Sequence, residues 1–283
     1  DFLHKGHINK EFLFMGHFDH PSCANDGLAG CIAAFEVINR LKGRKTKYSY
    51  RAFASVEIVG SVAYLFHEKK IRNNIIEGMF LGFSGIDNPI VYQQSFNKNS
   101  LIDKSIKHLL KYKKYKSKEK NIFEHRELAG NDENVFDSIG YDIPMGTLMR
   151  YPFPEYHTHF DNMEITKEKN IEEIICLTLK LIEIIENNSI IKANYHGIPS
   201  LSEPSVNLYL GASKTSGIQN ISQLKETSLF NRIYKDDFKY VNENSHLLYR
   251  FMNNVLRLAD GENTILDICE LSKIPFSFGL LYI

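Results

Sequence analysis

The chain has few cysteines, and the four it has, Cys23, Cys31, Cys176 and Cys269, form no C-x-x-C pair. A disulfide framework is therefore set aside, and free thiols in a cytoplasmic protein are expected. Net charge is also missing: 34 basic residues balance 34 acidic ones, so nothing suggests general attraction to nucleic acid or to a membrane surface. No apolar run approaches the roughly 20 residues that span a bilayer. The opening Asp1–Gly6 stretch carries neither the basic region nor the apolar region of a signal peptide, and no internal repeat is visible. What remains is an ordinary globular composition, 43% hydrophobic and 24% charged. At 283 residues it has room for one large domain, alone or with a small one.

Two stretches carry the chemistry. The first runs His17-Phe18-Asp19-His20 and on to Asn25-Asp26-Gly27; the second is Tyr156-His157-Thr158-His159-Phe160-Asp161. Glu11–Gly16 is short, apolar and bounded by turn formers, and reads as a buried strand. It leaves His17 at a strand tip, with Asp19 on the same face two residues on. An imidazole so placed can bind a metal while a carboxylate fixes its tautomer. Asp26 opens an apolar helical pattern, where a short carboxylate is held at a helix N-terminus. His17, Asp26 and the distant His157 are the ligand types of a hydrolytic zinc site.

Strands and helices alternate along the first two thirds. Strands are expected at 12–16, 48–55, 78–83 and 145–150, and helices at 26–41, 60–70, 102–115 and 167–186. That alternation predicts a doubly wound mixed α/β sheet, with its site beyond the carboxyl ends of the strands. The domain reading is 1–195 for this sheet, 196–220 for a linker, and 221–283 for a small helical module. Two helical patterns, 244–257 and 264–272, are separated at Ala259-Asp260-Gly261. The basic run 104–120 reads as a solvated helix face.

Four motifs in order resemble the M28-type co-catalytic zinc aminopeptidases. They are similar in particular to a bacterial aminopeptidase-like branch associated with surface-polysaccharide genes. The motifs are His17 to Gly30, Val56-Glu57-Ile58-Val59-Gly60-Ser61, Gly130-Asn131-Asp132-Glu133, and Tyr156 to Asp161. The run from Asp260 to Phe276 is similar to that branch's C-terminal winged-helix domain. The resemblance implies a zinc exopeptidase fold, a zinc-dependent hydrolase acting on a small peptide or aminoacyl conjugate, and a chain lacking a natural N-terminal segment. It also implies residue roles. His17, Asp26 and His157 would hold zinc, with one ion favoured over two, although Asp26 bridges both ions in two-metal relatives.

The resemblance makes Glu57 the general base or a metal ligand, since Val56 replaces the first glutamate of the pair found in active relatives. Asp87 is a second-metal candidate and equally an ordinary turn residue. Asp19 and Asp161 would orient the ligands, Asp161 acting on His157. Asp132 and Glu133 would face the substrate's amino group or simply line a solvated loop. His20 competes with His17 as a ligand, and His159 could crowd the site. The competing reading is a weak or inactive pseudo-peptidase that binds or assembles in surface-polysaccharide biosynthesis. A homo-oligomer or protein partner would dock on the C-terminal module. No nucleic-acid or membrane partner is expected, the charge of that module being balanced.

Overall fold

The computed structural model describes residues 1–112, 116, 120–205, 208–211 and 235–283. It divides into two compact units, Asp1–Leu110 with Ser117–Glu186, and Lys111–Lys116 with Asn187–Ile283.

The first unit is built on a seven-stranded mixed sheet in the order β1-β3-β2-β4-β7-β5-β6. Its strands are β1 (Phe2–His4), β2 (Glu11–His17), β3 (Ser49–Ser55), β4 (Ile75–Leu81), β5 (Ile90–Gln93), β6 (Ile122–Phe123) and β7 (Met145–Arg150). Every residue of β2 is buried, which is why it reads as an unbroken apolar run and not an alternating one. The one charge in that run, Glu11, accepts a 2.7 Å bond from buried Arg51 on β3, so neither group is left uncompensated. β2 pairs in parallel with β3 and β4, and β4 with β7. β5 and β1 run antiparallel to their partners β7 and β3. Four central strands therefore deliver their carboxyl ends to one edge, with His17 opposite Ser55 in register. The loops that follow them carry all the residues singled out near His17, Glu57, Asp87 and His157.

The helices of this unit are α1 (Gly30–Asn39), α2 (Val59–His67), α3 (Lys69–Arg72), α4 (Leu101–Leu110), α5 (Glu133–Phe136) and α6 (Glu168–Asn187). The sheet and helix alternation agrees with the expected class, but several boundaries move. The helix expected from Asp26 begins at Gly30, because Asn25–Ala29 form a separate wide turn with Gly27 at φ +106°. A Cβ on Gly30 would lie 1.8 Å from the Leu81 carbonyl oxygen, so only glycine lets α1 pack this closely on β4. The helix expected over 60–70 is broken at Glu68 into α2 and α3. Strands β1, β5 and β6 were not anticipated.

The second unit pairs β8 (Ile190–Lys192) antiparallel with β9 (Asp260–Thr264). Its described helices are α7 (Lys235–Glu243), α8 (Leu247–Leu258), α9 (Ile265–Ser272) and α10 (Phe276–Tyr282). α9 starts where the sequence places it, because Thr264 and Asp267 form a reciprocal capping box. Asp260 and Gly261, expected as a spacer between helices, belong to β9. Parts of three expectations lie outside the described residues: 113–115 and 117–119 of the basic run, 206–207 and 212–220 of the linker, and 221–234 of the winged-helix module. Among the described residues, no helix is long and apolar enough to cross a membrane.

Candidate functional site

The site gathers on Asp26. Its Oδ1 lies 3.2 Å from His17 Nε2, in hydrogen-bond contact. Its Oδ2 lies 3.3 Å from His157 Nε2 without making a hydrogen bond. His20 stands between Asp26 and Glu57, with Nδ1 3.8 Å from Asp26 Oδ1 and Nε2 3.6 Å from Glu57 Oε2. Glu57 Oε2 is also 3.7 Å from His17 Nδ1. Donor atoms of His17, His20 and Glu57, and of His20, Asp26 and His157, form two groups whose members lie within 4.8 Å of one another. Three of these atoms, His17 Nδ1, His20 Nδ1 and Asp26 Oδ2, are buried with no hydrogen-bond partner. Buried polar atoms left unpaired in this way call for an explanation, and a cation among them supplies one. Imidazole nitrogens and carboxylate oxygens are the donor set zinc takes, so the residues fit that ion.

Each arm of the site is held by a buried carboxylate. Asp161 accepts the backbone N–H groups of Ala24, Asn25 and Asp26 at 3.2, 2.7 and 2.8 Å, using both oxygens. The Asn25 side-chain oxygen in turn accepts the Gly85 N–H at 2.7 Å, tying this turn to the loop after β4. Asp26 is therefore held off its helix, with ψ of 92°, and makes no capping bond. Gly27 lets the turn fold over β2, since a Cβ there would sit 2.5 Å from the His17 carbonyl oxygen.

The Glu57 arm is strained. Val59 N–H donates to the Glu57 carbonyl at 2.6 Å across Ile58, whose φ of 59° and ψ of −61° make a γ-turn of the rare, strained hand. A β-branched residue at positive φ is an outlier that surrounding bonds must enforce. Asp132 supplies them: its Oδ1 accepts Ile58 N–H at 2.9 Å and the Ser61 hydroxyl at 2.6 Å. Asp19 adds a third, accepting the Glu57 N–H at 3.0 Å.

Charges follow from this packing. Burial raises the Glu57 carboxyl above its usual range, against the pull of His17 and His20. For His17, burial opposes protonation, but the bond and charge of Asp26, with Glu57 and Asp132 behind it, outweigh it and raise the imidazole. Burial also raises Asp132, and pushes Glu133 up to about 7.

Several expected roles change. Asp132 and Glu133 are fully buried, so they do not face a substrate amine; Asp132 holds the Glu57 turn, and Glu133 accepts Asn131 N–H. Asp161 orients the Asp26 turn, not His157. Asp19 lies 3.7 Å from His17 and bonds the Glu57 backbone. Asp87 is exposed between Lys167 and Lys169, each 3.6 Å away, and stands in neither donor group. His159 is exposed against Phe160. The residue most underweighted was His20, which belongs to both donor groups; its place three residues after His17 was the available signal.

The family described as domain of unknown function DUF4910 matches residues 1–188. A Clostridium acetobutylicum protein, provisionally named a polysaccharide biosynthesis protein with aminopeptidase-like domain, is 27% identical over 98% of this chain. The chain spans 58% of that relative's length. A crystal structure of a provisionally named peptidase from Clostridium acetobutylicum superposes with TM-score 0.76 at 25% identity, covering 99% of this chain and 56% of the other. The zinc aminopeptidase of Bacillus subtilis matches 65% of this chain and 48% of its own, with TM-score 0.52 and 16% identity. A Porphyromonas gingivalis glutaminyl cyclase matches 64% and 74%, with TM-score 0.52 and 17% identity. At such identities the last two show the fold alone: a mixed α/β sheet of the aminopeptidase-like type.

Proposed function

From the premise that the chain belongs to the DUF4910 family, we propose that it is a zinc-dependent hydrolase of aminopeptidase type, cleaving an amide in a small peptide or aminoacyl conjugate. The observation that carries this reading is the convergence of His17, His20 and His157 with Asp26 and Glu57, from three different loops, around buried unpaired donor atoms. The aminopeptidase-like name of the Clostridium relative supports it. Asp26 and two of the imidazoles around it would hold zinc and leave a fourth position open. Zinc held by these residues would supply Lewis acidity for polarising a carbonyl and activating water. Glu57 is the proton acceptor. Its carboxyl is raised, it sits beside the imidazoles, and its backbone is fixed by Asp19 and the Ile58 turn. Val56, next to it, is apolar and half-exposed, so that position supplies no second acid.

The test is metal content after dialysis, followed by zinc-dependent hydrolysis of a panel of aminoacyl amides. Glu57→Gln should keep the metal and lose about 10²–10⁴-fold in rate. Retained zinc with no hydrolysis of any amide would favour a binding or assembly role in polysaccharide synthesis over catalysis.

A further inference from the structure

We propose that His20 is itself a zinc ligand, completing the set with Asp26 and His157, and that this limits the chain to one ion. The proposal rests on the zinc reading above and adds which imidazole is indispensable. Among the described residues, both groups of three converging donors include His20. His17 enters only the group with Glu57, whereas Asp26 and His157 enter only the other. A neutral imidazole has a single lone pair on nitrogen, so His20 can complete one group at a time. Asp87, the remaining acid considered for a second ion, is turned to Lys167 and Lys169.

The group with Asp26 and His157 is the one that leaves Glu57 free to take a proton. In that arrangement His20 binds through Nδ1, the nitrogen that is buried without a hydrogen-bond partner. Its distance of 3.8 Å to Asp26 Oδ1 is within what two ligands of one ion with bonds of about 2.0–2.2 Å can span. His17 then donates its Nε2–H to Asp26 Oδ1 at 3.2 Å and orients the carboxylate. Three protein ligands and one open position result, whereas ligation by all three histidines and Asp26 would close the site.

The experiment is equilibrium dialysis of the full chain against buffered zinc, with elemental analysis, for the wild type, His20→Gln and His20→Cys. Wild type should hold one zinc. His20→Gln, with an unchanged circular-dichroism spectrum, should lose at least about 100-fold in affinity, beyond the effect expected of an outer residue. His20→Cys should recover part of it, since a Zn–S bond of about 2.3 Å against about 2.0–2.1 Å for Zn–N offsets some of the shorter side chain. Loaded with cobalt, that variant should show a thiolate-to-metal charge-transfer band absent from wild type. Zinc affinity of His20→Gln within about threefold of wild type, absence of that band, or two ions on the wild type would each overturn the proposal. Wild type taking no zinc would overturn the zinc reading with it.

Discussion

The two arms of the site use one device on two different backbones. On the Asp26 arm, a buried carboxylate, Asp161, satisfies three consecutive N–H groups with both of its oxygens, and the turn at Asp26 places its positive φ on Gly27. On the Glu57 arm, a buried carboxylate, Asp132, holds an isoleucine in a strained γ-turn, and its second oxygen has no hydrogen-bond partner. In the first arm the supporting carboxylate has both oxygens in use. The second stores strain and depends on a carboxyl that burial has already raised. A metal ligand needs a fixed position, while a proton acceptor needs a fixed position and a raised proton affinity. The difference between the arms matches that division of labour.

The largest effect should come from removing Asp161. Asp161→Ala leaves the N–H groups of Asn25 and Asp26 unpaired, each costing about 1–3 kcal/mol, while Ala24 N–H keeps its bond to the main-chain carbonyl of residue 161. We expect a loss of about 4 kcal/mol in urea unfolding, together with loss of zinc binding as Asp26 swings free. A loss under about 1 kcal/mol would mean the turn is held by something else. The Glu57 arm answers to pH instead. Glu133, beside Asp132, is raised from 4.5 to about 7 by burial. The folded state thus holds its proton more tightly than the unfolded chain does. The associated stability is complete below about pH 4.5 and falls as the pH rises to about 7. The fall is on the order of 3 kcal/mol if this group acts alone. Glu133→Gln should flatten that slope between pH 5 and 8, read as urea midpoints, and leave the Asp161 arm untouched. An unchanged slope would place the pH dependence elsewhere.

Much of this contrast was beyond the sequence, for identifiable reasons. β2 and β7 were legible because a strand covered on both faces shows as a short apolar run with turn formers at its ends. His17, Glu57 and Asp87 were legible as residues that follow strands, since the carboxyl edge of a parallel sheet follows from element order, whereas His157 was legible only through its motif. The start of α1 was not, because Asn25–Ala29 form a separate turn held by Asp161, a partner far along the chain. Nor were the parts played by Asp132 and Asp161. An acidic motif looks the same whether it faces water, a substrate amine or backbone N–H groups, and here the partners lie 71 to 137 residues away. His20 was legible as a competitor of His17 but ranked second to it, because its place between Asp26 and Glu57 is a matter of two loops meeting. What short motifs recorded was the identity of the groups, and what they omitted was which of them had already been used inside the protein.

The smallest effect is the most discriminating. Ile58→Gly removes the side chain that makes φ of 59° costly, a strain of about 1–3 kcal/mol, while adding chain entropy of about 1 kcal/mol to the unfolded state. Alone it should leave stability unchanged or raise it by up to about 1 kcal/mol. In an Asp132→Asn background, where the remaining amide holds the turn less firmly, the same change should be worth more. Glycine enters that conformation without being forced. The two substitutions should therefore be coupled by at least about 0.5 kcal/mol, as contacting residues are. If Asp132 were only a buried acid packed beneath the sheet edge, Ile58→Gly would have the same effect in either background. The cycle needs nothing but unfolding curves, so it tests the strained arm even before a substrate is known.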